Sequence, residues 1–481
     1  MLSKIDTNSK GFLLASVIFL FVLNLILKIC YLGYEPFWYD EMISIKDTYL
    51  DFGHIKHEAE WDNNPPFYYY CLWVWVKLVG LSEFKCRLLG VIFSCFTTIM
   101  LFSFVNKIFN FSIAISASLI FTFHNYIYEY THEARAYSLV VMLVMISTVL
   151  FFKLFENPSY VNVFFLGLIN FLIIYTHYIA GLVIFFQIIF VVSFGKPAVK
   201  KYMISILVII GFVLLRFTKK QFLNVLGFNS EKHGFWLEKA NSDILKKTCV
   251  NLLFGNYLWI FVLIILVLSV TQFFIKQKEI KDSQKKVLVF SFMVGILSPI
   301  ILFCLGKLTP IFLPRYLLFC IPFISISICW ALFSFHETGK FLIPIIIIIQ
   351  LLTLNLNPKK PMDYRTAADV VKYLNNDRSL ILLQTKDITN LFSYYYNREI
   401  IKDIYHPNLV LENIVEIQNV EDIASLNILN AKKIIFCQTF QKEDDSKRIF
   451  ELFKNHNYHF YTSCSVKGVK ISILEKIKIN T

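Results

Sequence analysis

Residues 11–30 read GFLLASVIFLFVLNLILKIC, a run in which Lys28 is the one charged residue. A second run at residues 257–274, YLWIFVLIILVLSVTQFF, contains no charged residue. A helix needs about 20 consecutive apolar residues to cross the hydrocarbon core of a bilayer, and both runs approach that length. These stretches decide the fold class, because they predict helices that span a membrane.

The composition of the whole chain agrees with this interpretation. Of its 481 residues, 56% are hydrophobic and 17% are charged, whereas soluble proteins carry about 25% charged residues. These values exclude an ordinary soluble enzyme, a disordered chain and a disulfide-stapled secreted domain. We interpret the net charge of +13 first as cytoplasmic loops and contact with lipid head groups, and not as nucleic-acid binding.

Apolar runs predict about eleven membrane spans, and the basic residues between them predict the orientation. Lysines crowd the short loops at 196–201 and 276–286, which places both loops and the N-terminus in the cytosol. Lysines in 218–250, a predicted outer loop, count against this topology, and a single bent helix over 161–194 would move the C-terminus inside. The predicted spans are 11–33, 87–106, 111–127, 137–155, 161–177, 179–194, 202–217, 251–275, 287–305, 316–334 and 341–356.

The composition changes at Asn357-Pro358-Lys359-Lys360-Pro361, which predicts a membrane exit. Residues 1–356 then form a transmembrane domain with an outer loop at 34–86, and residues 357–481 form a soluble extracytoplasmic domain. In that domain we expect helices at 363–375, 387–396 and 443–454, and strands at 379–384, 432–438 and twice within 457–474. The expected fold is therefore a polytopic α-helical membrane protein with a small C-terminal α/β domain.

Two cysteines, Cys437 and Cys464, lie in the C-terminal part of the chain. They could form a disulfide if this part is extracytoplasmic. Two unpaired packing cysteines are the other interpretation, and the sequence contains no CxxC pair that would indicate a zinc or redox site.

The outer loop begins with Phe37-Trp38-Tyr39-Asp40-Glu41, two adjacent carboxylates directly after the first span. Acidic residues close to hydrocarbon are costly unless they have a function. A half-dry setting raises the pKa of a carboxyl group, which suits a general base. An isolated Asp-Glu pair is more often the solvated start of a loop, so its interpretation depends on the other polar residues of this face.

Three more segments add polar residues to the same predicted face of the membrane. They are DNNPPFYYY at 62–70, THEARAYS at 131–138, and a span that opens with PRY at 314–316. Arginine can bind phosphate bidentately, and a neighbouring glutamate can hold it in place. Taken singly, these segments have simpler interpretations, as a helix start with an aromatic belt or an arginine that snorkels to the surface. The candidate residues are Asp62, Asn64, Glu133, Arg135, Tyr137, Lys307, Arg315 and Tyr316.

The order WYDEMISI, DNNPPFYYY, THEARAYS, FLPRYLL and DYRTAADVVKYL resembles the bacterial relatives of the protein O-mannosyltransferases. That group includes the lipid A aminoarabinose transferases and has the C-type glycosyltransferase fold. The resemblance runs from Phe12 to Tyr396. It implies that Asp40 lies beside the acceptor hydroxyl with Glu41 as its partner, and that Arg135 and Tyr137 hold the donor phosphate.

One position departs from the family pattern. Relatives usually have His before the paired prolines, where this chain has Asn64. An amide is a poor metal ligand, which argues against a metal-dependent role at this position. We assign no cofactor, although the sequence permits a divalent metal elsewhere in the site.

The expected activity is transfer of a hexosyl or pentosyl group from a polyprenyl-phosphate carrier to a hydroxyl acceptor. Asp40 would act as the base, and Arg135, Arg315 and Lys307 would bind the phosphate, so that one displacement inverts the anomeric carbon. The expected location is the plasma (inner) membrane, crossed many times, with the active site outside. The expected partners are the lipid-linked donor, a lipid, glycan or protein acceptor, and membrane lipids, but not nucleic acid. The sequence does not identify the sugar or the acceptor.

Two other classes compete with this prediction. A transporter or lipid flippase usually needs ionisable residues at mid-membrane, whereas most charges here lie near the ends of the spans. A non-catalytic scaffold that displays the C-terminal domain would leave the acid pair and the arginine motif without a role.

Overall fold

The computed structural model of the chain describes most of its residues. They are 9–49, 51–59, 64–156, 158–194, 199–216, 238–335, 337–375, 379–384, 386–398, 409, 413–417, 431–439 and 450–477. The described chain forms two compact units. The membrane unit comprises Met1–Leu32, Gly53–Trp75 and Cys86–Leu356, and the C-terminal unit comprises Gly33–Phe52, Val76–Lys85 and Asn357–Thr481. Two segments of the predicted outer loop thus group with the C-terminal residues.

The α-helices of the described residues run from the first apolar segment into the C-terminal domain. They are α1 (Lys10–Ile29), α2 (Tyr39–Lys46), α3 (His54–Ala59), α4 (Phe67–Val79), α5 (Glu83–Ile108), α6 (Phe111–Thr122), α7 (Asn125–Thr131), α8 (Tyr137–Glu156), α9 (Tyr160–Ile174), α10 (Leu182–Phe194), α11 (Val199–Arg216), α12 (Ser242–Leu252), α13 (Trp259–Lys276), α14 (Asp282–Phe292), α15 (Ser298–Leu308), α16 (Ile321–Ser334), α17 (Leu342–Thr353), α18 (Tyr364–Leu374) and α19 (Lys386–Tyr396). Short 3-10 segments occur at Asp47–Tyr49, Tyr178–Gly181, Pro314–Cys320 and Glu337–Phe341, and a π-helical turn at Met293–Leu297 joins α14 to α15.

Six helical stretches of the described chain are long and apolar enough to cross a membrane. They are Lys10–Ile29, Glu83–Ile108, Tyr137–Glu156, Trp259–Lys276, Asp282–Leu308 and Pro314–Ser334. Shorter apolar helices occupy Phe67–Val79, Phe111–Thr122, Tyr160–Ile174, Tyr178–Phe194 and Gly339–Thr353. The prediction of a polytopic helical membrane protein is therefore confirmed.

The limits of some spans differ from the predicted ones. The span expected at 251–275 begins only at Trp259, because Phe254 (φ 69°) and Gly255 (φ 89°) take left-handed conformations that interrupt the helix. The region 161–194 is two helices, since α9 ends at Ile174 and the next helical turn begins at Tyr178.

Buried polar side chains connect the helices of the membrane unit. Asn170 of α9 donates to Gln187 of α10 (2.8 Å), and Gln187 donates in turn to Ser147 of α8 (2.8 Å). Nearer the N-terminus, Lys28 of α1 donates a hydrogen bond to Ser94 of α5 (2.5 Å). In lipid, where apolar contact alone does not drive helices together, such hydrogen bonds specify which helices pair.

The C-terminal unit contains a five-stranded mixed sheet in the order β2-β1-β3-β5-β4. Its strands are β1 (Ser379–Gln384), β2 (Ile414–Ile417), β3 (Lys433–Thr439), β4 (Tyr458–Val466) and β5 (Val469–Lys476). β1 is parallel to β2 and β3, whereas β5 is antiparallel to β3 and β4. Buried residues on one face, among them Leu382, Phe436 and Leu474, form the core with Phe453.

The predicted C-terminal elements agree closely with these limits, and the expected α/β domain is confirmed. One strand, β2, was not predicted, because four residues at the edge of a sheet are too few to show a periodic pattern. The helix expected at 443–454 falls partly outside the described residues, of which 450–455 are helical.

Candidate functional site

The predicted acid pair lies in the first turn of α2, in the C-terminal unit. Trp38 precedes the helix in an extended conformation (φ −117°), and its backbone N–H donates to Oε2 of Glu41 (3.4 Å). Glu41 is fully buried, whereas Asp40 is partly exposed. The two carboxylates therefore differ: Glu41 caps the start of its own helix, and Asp40 is accessible to another molecule.

The segment before α2 is anchored by the carboxylate of Glu35. Lys359 donates to Oε1 (2.7 Å), the backbone N–H of Lys360 donates to Oε2 (3.3 Å), and Nζ of Lys467 lies 3.6 Å from Oε2. Burial raises the pKa of Glu35, but the hydrogen bonds and the two lysine charges outweigh it and hold the pKa below its ordinary value. Glu35 therefore stays ionised and keeps this segment fixed to residues 359–360 and 467.

In the membrane unit, Arg135 lies in the turn between α7 and α8. Its backbone N–H donates to the carbonyl of Glu133 (2.8 Å), and both residues are buried. Gly90 of α5 permits this turn to approach, because a Cβ at Gly90 would lie 3.1 Å from the carbonyl oxygen of Thr131. The sequence THEARAYS thus forms a tight turn that places an arginine in the protein interior.

A small cavity lies beside this turn. Two of the predicted segments meet there, and the lining residues are Asn64, Pro65, Tyr68, Tyr69, Arg135, Ala136, Tyr137 and His177. The third segment is adjacent, since the guanidinium of Arg315 lies 6.0 Å from the ring centre of Tyr137. Three segments that are far apart in sequence therefore bring Asn64, Arg135, Tyr137 and Arg315 into one region.

His177 is a residue of this cavity that the sequence did not predict. Its ring lies 4.7 Å from that of Tyr316 and 6.3 Å from that of Tyr137. Its Nδ1 is buried and has no hydrogen-bond partner among the residues that the structure describes. A buried polar atom in this condition indicates a place for a ligand atom or a water molecule.

The position of His177 follows from the break between α9 and α10. The carbonyl of Tyr175 accepts a hydrogen bond from the N–H of Phe67 (3.1 Å), which draws the Asn64-Pro65-Pro66 segment to the end of α9. The sequence signal for His177 is Thr176-His177-Tyr178, a polar interruption of an apolar region, which also fits the end of the predicted span 161–177.

The other predicted residues have different outcomes. Lys307 is exposed, and its contact within the described chain is with the ring of Phe303 (5.0 Å) and not with the cavity. Tyr316 is half-buried against His177. Asp62 lies outside the described residues. Among the residues described, no group of three His, Cys, Asp or Glu side chains could hold a metal ion.

Comparison with known proteins first defines the class. The chain is similar to the crystal structure of ArnT from Cupriavidus metallidurans bound to undecaprenyl phosphate, with a TM-score of 0.61 and 11% identity over 98% of this chain and 99% of that one. It is also similar to ArnT in the apo state (TM-score 0.55, 12% identity, 96% and 98% of the two chains). The protein is thus a multi-pass membrane protein with the C-type glycosyltransferase fold, as the resemblance predicted.

A more distant structure has the same fold, and one family matches part of the sequence. The oligosaccharyltransferase AglB from Archaeoglobus fulgidus, in complex with an inhibitory peptide and a dolichol-phosphate, is similar at a TM-score of 0.52 and 9% identity, over 98% of this chain and 75% of that one. Residues 63–217 match the family of dolichyl-phosphate-mannose-protein mannosyltransferases. No protein of curated function matches the chain in sequence. The matched range includes Asn64, Arg135, Tyr137 and His177.

Proposed function

We propose that this protein is an integral membrane glycosyltransferase that moves a sugar from a polyprenyl-phosphate carrier to a hydroxyl acceptor. The observation that carries the proposal is the buried cavity lined by Arg135, Tyr137 and His177, with Arg315 adjacent. A cavity that contains a buried arginine and an unsatisfied histidine nitrogen is suited to an anionic ligand. The family match over 63–217 includes all eight lining residues, and the solved ArnT structure contains undecaprenyl phosphate.

The chemistry requires few protein groups, because the donor carries its own leaving group. The acceptor oxygen attacks the anomeric carbon while Asp40 takes its proton, and the bond between that carbon and the phosphate oxygen breaks. The electron pair leaves with the polyprenyl phosphate, whose added charge is stabilised by Arg135 and Arg315. A single displacement inverts the anomeric carbon.

Asp40 is the better of the two candidates for the base. The carboxylate of Glu41 is fully buried and accepts a hydrogen bond from the backbone N–H of Trp38, so it is engaged in capping its own helix. Asp40 lies in the same helical turn but is partly exposed, which permits contact with an acceptor hydroxyl. Glu41 then supports the base indirectly, because its capping hydrogen bond fixes the conformation of the helix start.

The proposal also includes the side of the membrane on which the site lies and the role of Lys307. The active site and the C-terminal domain lie on the extracytoplasmic side, and the donor is bound from the membrane. Lys307 attracts the anionic carrier at the surface and does not contact the phosphate, in keeping with its exposure. The comparisons favour this activity over the transporter alternative, because the matched family and structures are transferases.

The test is transfer of labelled sugar by purified protein. Wild-type protein, incubated with labelled polyprenyl-phosphate sugars and a membrane extract, is expected to leave a sugar-modified product. Asp40→Asn should lower the rate by about 10²–10⁴-fold, the usual contribution of one general base. Asp369→Asn is a matched control, because the carboxylate of Asp369 is exposed on α18.

The two parts of the proposal fail in different ways. Normal transfer by correctly inserted Asp40→Asn protein would remove Asp40 from its role as base. Absence of any labelled product from wild-type protein with every donor would contradict the activity itself.

A further inference from the structure

We infer that Tyr395 and Arg365 of the C-terminal unit, acting through Glu83, position the helix start that bears Asp40. The inference rests on the proposed function, because it concerns the placement of the proposed base. All residues involved belong to the C-terminal unit. They are positioning residues, since none of them needs to contact the substrate.

The first contact joins α19 directly to the residue before the cap of α2. The backbone N–H of Phe37 donates to the hydroxyl oxygen of Tyr395 (2.7 Å). The ring of Phe37 is fully buried and lies edge-on to that of Tyr394 (5.6 Å). Because Asp40 follows Phe37 by three residues, the direction in which α2 begins is set by a helix more than 350 residues later in sequence.

The second contact fixes the hydroxyl of Tyr395 itself. This hydroxyl donates to Oε1 of Glu83 (2.8 Å), and the same carboxylate oxygen lies 2.5 Å from Nη2 of Arg365. Burial and the charge of Glu83 raise the pKa of Tyr395, so the hydroxyl stays protonated and can donate. It therefore accepts from Phe37 and donates to Glu83 at the same time, which leaves it little freedom to rotate.

The third contact reaches the other end of the same short segment. Nη1 of Arg365 donates to the carbonyl of Tyr34 (3.1 Å), and its guanidinium lies 5.7 Å from the ring centre of Tyr395. Together with the lysine contacts of Glu35, residues 34–37 are thus held at both ends and in the middle. We call these contacts of Tyr395, Arg365 and Glu83 with residues 34–37 the tether.

The tether matters for transfer because a general base acts only at hydrogen-bonding distance. A displacement of about 1 Å can cost about 10²-fold in rate. Loss of the tether should leave the donor-binding residues unchanged, since they belong to the membrane unit, and should act on the turnover step. We therefore expect a fall in kcat with little change in the KM of the donor.

The experiment compares two neighbouring tyrosines of α19. Tyr395→Phe removes the hydroxyl that binds Phe37 and Glu83, whereas Tyr396→Phe removes one that accepts from Asn375 (2.8 Å). Tyr395→Phe should lower kcat about tenfold or more with the donor KM unchanged, and Tyr396→Phe should leave both near the wild-type values. Arg365→Lys, which keeps the charge opposite Glu83, should give a smaller loss than Arg365→Gln.

Amide hydrogen exchange provides a second measurement that does not depend on activity. In Tyr395→Phe the amides of residues 37–43 should exchange faster than in wild-type protein, and in Tyr396→Phe they should not. Unchanged kcat in Tyr395→Phe, or a lower kcat without faster exchange at 37–43, would overturn the inference. If wild-type protein transfers no sugar, the proposed function fails, while the exchange measurement still decides whether the tether holds this segment.

Discussion

At the scale of single residues, the proposed donor site combines a predicted cation with a histidine that was not predicted. Arg135 and His177 line the same cavity and are both more than nine-tenths buried. The buried Nδ1 of His177, which has no partner in the described chain, is costly unless a ligand or water satisfies it. The cavity is therefore built for polar contact, although three of its eight lining residues are tyrosines.

Replacement of His177 tests this view. His177→Ala removes the Nδ1 atom that faces no partner in the described chain, and we expect the donor KM to rise about tenfold, corresponding to one lost hydrogen bond to a charged group. Steady-state kinetics against donor concentration measures the change. His459→Ala, at an exposed position of β4, is the control; an unaltered donor KM in His177→Ala would separate this residue from donor binding.

At the scale of elements, the packing of α5 against the turn between α7 and α8 decides where Arg135 lies. Gly90 is the point of closest approach, where a Cβ would meet the Thr131 carbonyl oxygen at 3.1 Å and Oγ of Ser138 at 3.5 Å. The added methyl group would displace the turn by a few tenths of an ångström. A shift of this kind is transmitted to Arg135, four residues after Thr131.

Gly90→Ala is therefore expected to weaken donor use and to destabilise the protein by about 1–3 kcal/mol, the usual cost of overpacking. The donor KM and the thermal unfolding of detergent-purified protein measure the two effects. Gly211→Ala on α11 is a matched control, because no heavy atom lies within 4 Å of its added Cβ. Equal behaviour of the two variants would show that the turn tolerates the extra methyl group.

Strand register decided one question that the sequence left open. Cys437 of β3 and Cys464 of β4 both lie opposite Ile471 of β5, on either side of that strand. Strands are spaced by about 4.8 Å, so the two cysteines are too far apart for a disulfide, and both are free. The interpretation as unpaired cysteines is thus confirmed, and their different exposure permits a labelling experiment.

At the scale of the whole molecule, the side of the membrane on which the C-terminal domain lies is a prediction from the lysine-rich loops. Cys464 is exposed and Cys437 is buried. On intact cells, a membrane-impermeant maleimide should label the wild-type protein at Cys464, and Cys464→Ser should lose that label. Labelling of Cys464 only after permeabilisation would place the domain in the cytosol and contradict the predicted topology.

Local properties of the sequence determined the class of fold and most of its elements. Apolar runs such as 11–30 predict helices because a helix forms its backbone hydrogen bonds within the segment, so that its polar backbone can lie in lipid. The α/β domain followed from short-range periodicity, with limits close to those of α18, α19 and β1. The polar segments around Asn64, Arg135 and Arg315 were also visible, because polar residues stand out in an apolar chain.

Contacts between distant segments were decided by the tertiary structure alone. No local pattern indicates that Phe67 binds Tyr175 and thereby brings Asn64 to His177, or that the hydroxyl of Tyr395 holds Phe37. Likewise, the resemblance assigns Asp40 the role of base, but only the capping of α2 shows which carboxylate is accessible and which is buried. The periodicity of a segment indicates which of its faces contact water or lipid. The site depends instead on which segments contact one another, and packing across the whole chain decides this.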